Sequence, residues 1–267
     1  MKKPVTLYIL LLALSIGVLF LLNLFLGSVD IPFRSIWNIL LGMDEGESVI
    51  WQNIIWKSRV PQALTAMVAG AGLAVSGLQM QTVFRNPLAG PSVLGISSGA
   101  SLGVAFVVLL SGSIGGIALS RLGFMGEIAL TMAAIIGALS IMALIVYVSQ
   151  KVHGNVTLLI IGVMIGYVAN AVIGVLKFFS VEEDIRAYVI WGLGSFARVS
   201  GNQMMVFVCI MAVLLPLSFL LIKTLNLLLL GDAYARNLGL NIKRARLQVI
   251  ACSGVLVAIV TAYCGPI

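Results

Sequence analysis

Long apolar runs without a charged residue recur along the chain, and polar residues gather in the short intervals between them. About 20 apolar residues in a helix cross the ~30 Å hydrocarbon layer of a bilayer. The runs lack the strict alternation of a membrane β-barrel. The pattern therefore predicts an all-α integral membrane protein, a polytopic bundle of about seven transmembrane helices that forms a single transmembrane domain over residues 1–267. The predicted spans lie near residues 5–26, 60–83, 93–112, 128–150, 156–178, 203–222 and 248–266.

Composition and charge agree with this class. Of the 267 residues, 61% are hydrophobic and 9% are charged, whereas a soluble domain carries about a quarter charged residues. With a cytoplasmic N-terminus and seven crossings, the inside segments hold nine basic residues and the outside segments seven. That modest excess fits the positive-inside rule and predicts a cytoplasmic N-terminus. The net charge of +7 follows from this topology and gives no reason to expect a nucleic-acid partner.

Small residues repeat every four positions in three of the runs. This spacing lets helix backbones approach closely, which drives helix association in lipid. We therefore expect a compact bundle. The three rows are Gly95, Gly99 and Gly103; Gly162, Gly166, Asn170 and Gly174; and Ala66, Gly70 and Ala74.

The sequence offers no catalytic or metal-binding pattern. The spans contain no carboxylate pair, and the chain has neither an H-E-x-x-H motif nor a G-x-x-x-x-G-K-[ST] phosphate loop. We expect no catalytic residue, no metal site and no cofactor in this chain. Lys177 is the one ionisable candidate at membrane depth, and it lies near a helix end, which gives little support to ion-coupled transport. His153 is predicted in a loop, and Cys209, Cys252 and Cys264 are predicted as small buried residues within helices.

Residues 59–101 are unusual for a connection between two spans. Pro87 and Pro91 predict a rigid turn at the cytoplasmic face, followed by a helix that opens with small residues. Gln79 and Gln81 are amides near the inner end of the preceding helix. Both pore lining and hydrogen bonding between helices would explain them.

A second motif covers residues 230–240, in a basic interval predicted to face the cytoplasm. Asp232 is a good N-cap and Gly239 a good residue just past a helix end, so the pattern predicts a helix of about six residues. A helix this short must pack against something to be stable. Its exposed face suits a protein groove better than the bilayer surface, which is the alternative. That face comprises Tyr234, Arg236 and Asn237.

A third polar interval holds Glu182, Glu183 and Asp184, followed by residues 191–196. For the acids we expect a solvated loop. Residues 191–196 are consistent with a short helix that lines an outer vestibule.

The first two motifs together resemble the permease subunits of bacterial importers for iron–siderophore complexes, haem and vitamin B12, the FecCD-type family. The resemblance covers roughly residues 55–267. It implies a permease of the bacterial cytoplasmic (inner) membrane, with about ten helices at full length, that pairs with a second permease copy. It also implies a cytoplasmic ATPase subunit that uses ATP, an extracytoplasmic substrate-binding protein and transport by alternating access. A ferric siderophore is the first candidate substrate, haem the second and cobalamin the third.

The resemblance also implies roles for individual residues. Arg59 matches an outer-face arginine expected to pair with a carboxylate of the binding protein, although Gln62 stands where many members have a second arginine. The residues that match the coupling helix in the ATPase groove are Asp232, Ala235, Arg236, Asn237, Leu238 and Gly239. Those expected in the signature turn or along the translocation path are Gln79, Gln81, Asn86, Pro87, Ser97 and Ser98.

Members of this family normally continue past the position that matches Ile267, with about three more helices, so the resemblance predicts a fragment or a truncated protein. Two other classes stay open, a secondary carrier driven by an ion gradient and a scaffold that transports nothing. A carrier should keep its activity when residues 232–239 are disrupted, whereas an importer permease should lose its ATPase. A scaffold should show no flux.

Overall fold

The computed structural model describes residues 5–43, 46, 48–115, 124–152, 155–199 and 201–267. Their regular secondary structure is helical, without a strand in these ranges, which confirms the all-α prediction. A π-helical turn, Ile55–Arg59, joins α3 to α4, and a 3₁₀ turn, Phe196–Arg198, precedes α9. The helices are α1 (Val5–Phe25), α2 (Phe33–Leu40), α3 (Val49–Ile54), α4 (Val60–Phe84), α5 (Ile96–Gly115), α6 (Phe124–Lys151), α7 (Asn155–Phe178), α8 (Glu182–Gly192), α9 (Gly201–Phe219), α10 (Ile222–Leu229), α11 (Asp232–Asn237) and α12 (Ile242–Cys264).

Six helical segments of the described chain are long and apolar enough to cross a membrane, which confirms a multi-pass protein. The predicted span 93–112 corresponds to α5, which begins at Ile96 and whose described apolar part is Ile96–Leu110. The helical segment that contains the predicted span 60–83 is longer than that span, because α3, the π-helical turn and α4 form one continuous segment. The six segments are Val5–Phe25, Val49–Phe84, Met125–Lys151, Val156–Phe178, Gly201–Phe219 and Ile242–Cys264.

The chain divides into two compact units. The first comprises Met1–Met67 with Phe196–Met205, and the second comprises Val68–Ser195 with Val206–Ile267. The first unit has a small core of buried isoleucines, and the rings of Phe25 and Phe33 stack 4.7 Å apart in the same unit. Nearly all apolar side chains of α1 are exposed, as lipid-facing side chains of a spanning helix would be. The core isoleucines are Ile31, Ile36, Ile39 and Ile55.

Helix α5 is the centre of the second unit and packs against α6, α7, α8 and α12. Glycines allow the close approach. A Cβ atom added at Gly99 would lie 2.8 Å from the carbonyl oxygen of Gly137, and one added at Gly95 would lie 2.9 Å from the carbonyl oxygen of Gly162. A Cβ atom essentially never lies within 3.0 Å of such an atom, so these positions require glycine. The prediction that this row of small residues packs closely is confirmed.

Two other glycines of the predicted rows do not pack in this way. A Cβ atom added at Gly70 or Gly174 would have no described atom within 4 Å, and Asn170 is exposed. The expectation of close packing is therefore wrong at Gly70 and Gly174. The spacing identifies a helix face with small residues, but it does not show whether a neighbouring helix lies on that face.

Candidate functional site

Helix α11 is the six-residue helix that the sequence predicts, and its end has the expected geometry. Gly239 has a φ of +84°, its N–H donates to the carbonyl of Arg236, and the N–H of Leu240 donates to that of Ala235. These two bonds form a Schellman motif, which favours glycine at this position. The prediction of Asp232 as the N-cap is wrong. Gly231, with a φ of +106°, is the cap, and Asp232 is the first helical residue.

The carboxylate of Asp232 instead binds two arginines of the second unit, one 147 and the other 14 residues away in the sequence. Its Oδ1 lies 2.6 Å from Nη2 of Arg85, and its Oδ2 lies 2.7 Å from Nη2 of Arg246. Arg85 also donates to the carbonyl of Leu228, at the end of α10, over 3.3 Å. Asp232 thus links α11 to the chain after α4 and to the first turns of α12.

The predicted turn begins directly after Arg85, which has a φ of +49°. Its first residue, Asn86, accepts the N–H of Ala89 on its backbone carbonyl over 3.0 Å and the N–H of Leu88 on its Oδ1 over 2.9 Å. Pro87 is the second residue of this turn, where its fixed φ is favourable. The turn and α11 are therefore joined through one arginine, an arrangement that the sequence did not predict.

The chain after this turn returns to the interior of the second unit before α5 begins. A Cβ atom added at Gly162 would lie 2.9 Å from Cα of Leu94, although Gly162 is seven residues, about 10 Å, into α7. Non-helical backbone at such a depth is tolerated only where protein covers it. Leu94 is fully buried, in agreement with this requirement. This entry explains why α5 begins at Ile96, later than the predicted span.

Polar side chains hold α4 and α5 against α12. The hydroxyl groups of Ser76 and Ser253 lie 2.5 Å apart, and those of Ser97 and Thr261 lie 3.3 Å apart. Gln79 is buried, and its Nε2 lies 3.6 Å from Sγ of Cys252. Of the two explanations for the predicted amides, the contact between helices applies to Gln79.

The remaining residues predicted along the path differ in their surroundings. Gln81 and Pro87 are exposed, while Ser98 and Asn86 are partly buried. The hydroxyl group of Ser98 lies in the second unit beside α7, where it would contact a Cβ atom added at Gly166. Contact with a transported substrate stays a prediction for this whole set.

Arg59 has an intramolecular role in the first unit that the sequence did not reveal. Its side chain is 5% exposed. It donates to the carbonyls of Leu24, over 2.6 Å, and of Phe25 and Val29. The guanidinium thus closes the turn that follows α1. Docking of a binding protein at Arg59 stays a prediction, and a docking carboxylate would have to share a guanidinium that already has these three acceptors.

The acidic interval is not the solvated loop that the sequence suggested. Glu182, Glu183 and Asp184 form the first turn of α8, where the helix dipole favours negative charge. Asp184 is buried, as are Tyr188 and Trp191 on the same helix. Burial raises the pKa of Tyr188, against the opposing effect of a hydrogen bond with Ser101. The prediction of a short helix over residues 191–196 is wrong, because only Trp191 and Gly192 are helical, at the end of α8, and residues 193–195 are not.

Among the described residues no group of three or more His, Cys, Asp or Glu side chains could hold a metal ion. Cys209, Cys252 and Cys264 are free thiols, and Cys209 is exposed where a buried residue was predicted. His153 lies outside the described residues.

The second unit packs apolar helices around a glycine-lined centre and holds a short helix at one end by ion pairs, and the six long apolar segments of the described chain define a multi-pass membrane protein. The family model for the FecCD transport family matches residues 12–267, and the chain belongs to this family. It is 35% identical over 243 residues to the hemin transport system permease protein HmuU of Yersinia pestis, covering 91% of this chain and 69% of that protein.

A second relative gives a similar result. The chain is 35% identical to the vitamin B12 import system permease protein BtuC of Serratia proteamaculans, over 97% of this chain and 72% of that protein. Among solved structures, a metal-chelate type ABC transporter in an inward-facing conformation matches with a TM-score of 0.77 and 29% identity. That match covers 99% of this chain and 77% of the other. The chain thus spans about 70% of the length of its two curated relatives.

Proposed function

We propose that the chain is the permease subunit of an ATP-driven importer that moves a metal chelate across the bacterial cytoplasmic membrane by alternating access. One observation carries the proposal, namely the contacts that hold α11 against the second unit. Its buried Ala235 and the ion pairs of Asp232 hold it from behind, while Tyr234 and Leu238 are 69% and 62% exposed. A partner that binds the exposed face of α11 can move the bundle, because the opposite face of the helix is held to the bundle.

The force would pass from α11 along the two ion pairs. An ATPase subunit that moves α11 would shift Asp232, which pulls on Arg85 before the turn and on Arg246 in α12. These two arginines belong to chain segments that flank α5, since α5 follows the turn and packs against α12. A packed core passes between discrete arrangements rather than deforming continuously, so this motion could switch the bundle between two states.

The other partners belong to the same proposal. A second permease copy would complete the pathway, and an extracytoplasmic binding protein would deliver the substrate. The end of the bundle that carries α11 would face the cytoplasm, with the N-terminus on the same side. Two relatives support a metal chelate as the cargo, because their names specify hemin and vitamin B12, which are both macrocycles that hold a metal. A ferric siderophore is the third candidate.

Uptake by cells tests both the energy source and the cargo. Cells that express the chain with its partners would be offered labelled haem, cobalamin or a ferric siderophore, first with ATP depleted and then with the ion gradients collapsed by an ionophore. We expect uptake of one chelate, lost on ATP depletion and kept when only the gradients are collapsed. Uptake that stops with the gradients while ATP is maintained would instead identify a secondary carrier, and no uptake of any compound would favour a scaffold.

A further inference from the structure

A basic cavity of about 530 Å³ lies at the end of the second unit that carries α11. Helices α4 and α6 end there, whereas α7 and α12 begin there. Because all four belong to membrane-spanning segments, this end of the unit lies at the boundary between the hydrocarbon and the aqueous phase. A ligand in the cavity would therefore contact both the hydrocarbon and the aqueous phase.

The charges that line this cavity are not balanced. Four cationic side chains and one carboxylate give it a net charge of +3. Arg85 and Arg246 share Asp232, and neither Arg236 nor Lys243 has a carboxylate partner among the described residues. In addition, the Nε–H of Arg246 is buried and has no described hydrogen-bond acceptor. Like charges held together repel each other, so an anion here would be bound favourably.

Apart from Ser149 and Gln150, the rest of the lining is apolar, which restricts the kind of anion. Phe84, Val156, Leu158 and Ile250 form part of the wall, and Val156 is 70% exposed. A small inorganic anion would leave these side chains in contact with water. A ligand with a hydrocarbon chain would cover them, which is favourable because apolar surface is removed from water.

We propose that the cavity binds an anionic phospholipid, with its phosphate on Arg236, Lys243 and Arg246 and the start of an acyl chain along the apolar wall. Basic pockets between helix ends at a membrane surface are suited to such head groups. The inference depends on the membrane-embedded fold alone, and the cargo and the energy source of transport do not enter it.

Native mass spectrometry of the purified chain tests the proposal with a matched pair of variants. The protein would be offered phosphatidylglycerol and phosphatidylethanolamine with the same acyl chains, and the lipids retained after detergent removal would be counted. We expect preferential retention of one phosphatidylglycerol per chain. Lys243→Gln should lower that retention about fivefold, the effect of one cation near an anionic lipid surface. Arg244→Gln is the control, since Arg244 is the next residue and is exposed but does not line the cavity.

Three results would overturn the proposal. Equal retention of the two lipids would show that the cations do not select the head group. Equal losses in Lys243→Gln and Arg244→Gln would indicate general attraction to the basic surface. Displacement of phosphatidylglycerol by an equal concentration of inorganic phosphate would show that the acyl chain contributes nothing, and would assign the cavity to a free phosphate.

Discussion

Replacing Gly137 by alanine tests the close packing of α6 on α5. The added Cβ would lie 2.9 Å from Cα of Gly103, and closer still to the carbonyl oxygen of Gly99. Carbon atoms in contact prefer a separation of ~3.5–4.0 Å, so the helices would have to move apart by at least about 0.6 Å. The obstructing atoms belong to the backbone, and no side-chain rotation can relieve the clash.

The cost of this movement follows from the position of α5. Overpacking a well-packed interior destabilises a protein by about 1–3 kcal/mol. Because α5 also packs against α7, α8 and α12, the displacement disturbs those contacts too. We therefore expect a loss in the upper part of that range, about 2–3 kcal/mol. Gly174→Ala is the matched control, since its Cβ would meet no described atom within 4 Å.

Thermal unfolding in one detergent separates the two variants. For a domain of this size each kcal/mol shifts the Tm by about 2–4 °C, so Gly137→Ala should melt roughly 4–12 °C below the wild type. Gly174→Ala should melt at or slightly above the wild-type temperature, because alanine has the higher helix propensity. Equal melting temperatures for the two variants would refute the packing argument.

Three further substitutions test other contacts. Asp232→Asn breaks two partly exposed ion pairs, which contribute about 1 kcal/mol or less each, and should therefore cost at most about 2 kcal/mol in thermal unfolding. It should also lower ATP-dependent uptake, and normal uptake would show that the ion pairs do not transmit the motion of α11. Arg59→Gln removes the charged donor from the carbonyls of Leu24, Phe25 and Val29 and should cost about 1–3 kcal/mol in thermal unfolding. Lost docking of the binding protein with full stability would instead place the role of Arg59 at the outer surface. Ser253→Ala should cost about 0.6 kcal/mol, the average for a hydrogen bond between membrane helices, and a Tm shift beyond that of Gly137→Ala would contradict this value.

Local chemistry made several features predictable from the sequence. Gly239 ends α11 because a φ of +84° favours glycine, and Pro87 occupies a turn position that suits its ring. The spans follow from the length of their apolar runs. In each case the residues that determine the feature are neighbours in the sequence.

Features that depend on distant partners could not be predicted in this way. Asp232 looked like an N-cap, but its partner Arg85 lies 147 residues away, and Arg59 meets Leu24 across 35 residues. Likewise, Gly103 and Gly174 occupy similar rows, and only the fold shows that one faces a helix and the other faces open space. The partner of Asp232, the partner of Arg59 and the surroundings of these glycines all depend on which parts of the chain become neighbours in the fold.

The most direct test of the proposed importer is whether an ATPase binds to the exposed face of α11. Tagged protein would be purified gently from its own membranes, and the stoichiometry of any co-eluting ATPase would be measured for two variants. Tyr234→Ala with Leu238→Ala removes exposed side chains of α11 and of its C-cap residue without touching Ala235 or Asp232. The control, Leu193→Ala, removes a 76% exposed side chain near Ser195, which bonds to Cys264 at the far end of α12.

The account predicts a stoichiometric ATPase with the wild type and with Leu193→Ala, and its loss from the α11 variant. An ATPase that stays bound to the α11 variant, or a wild-type chain that elutes without any ATPase, would contradict it.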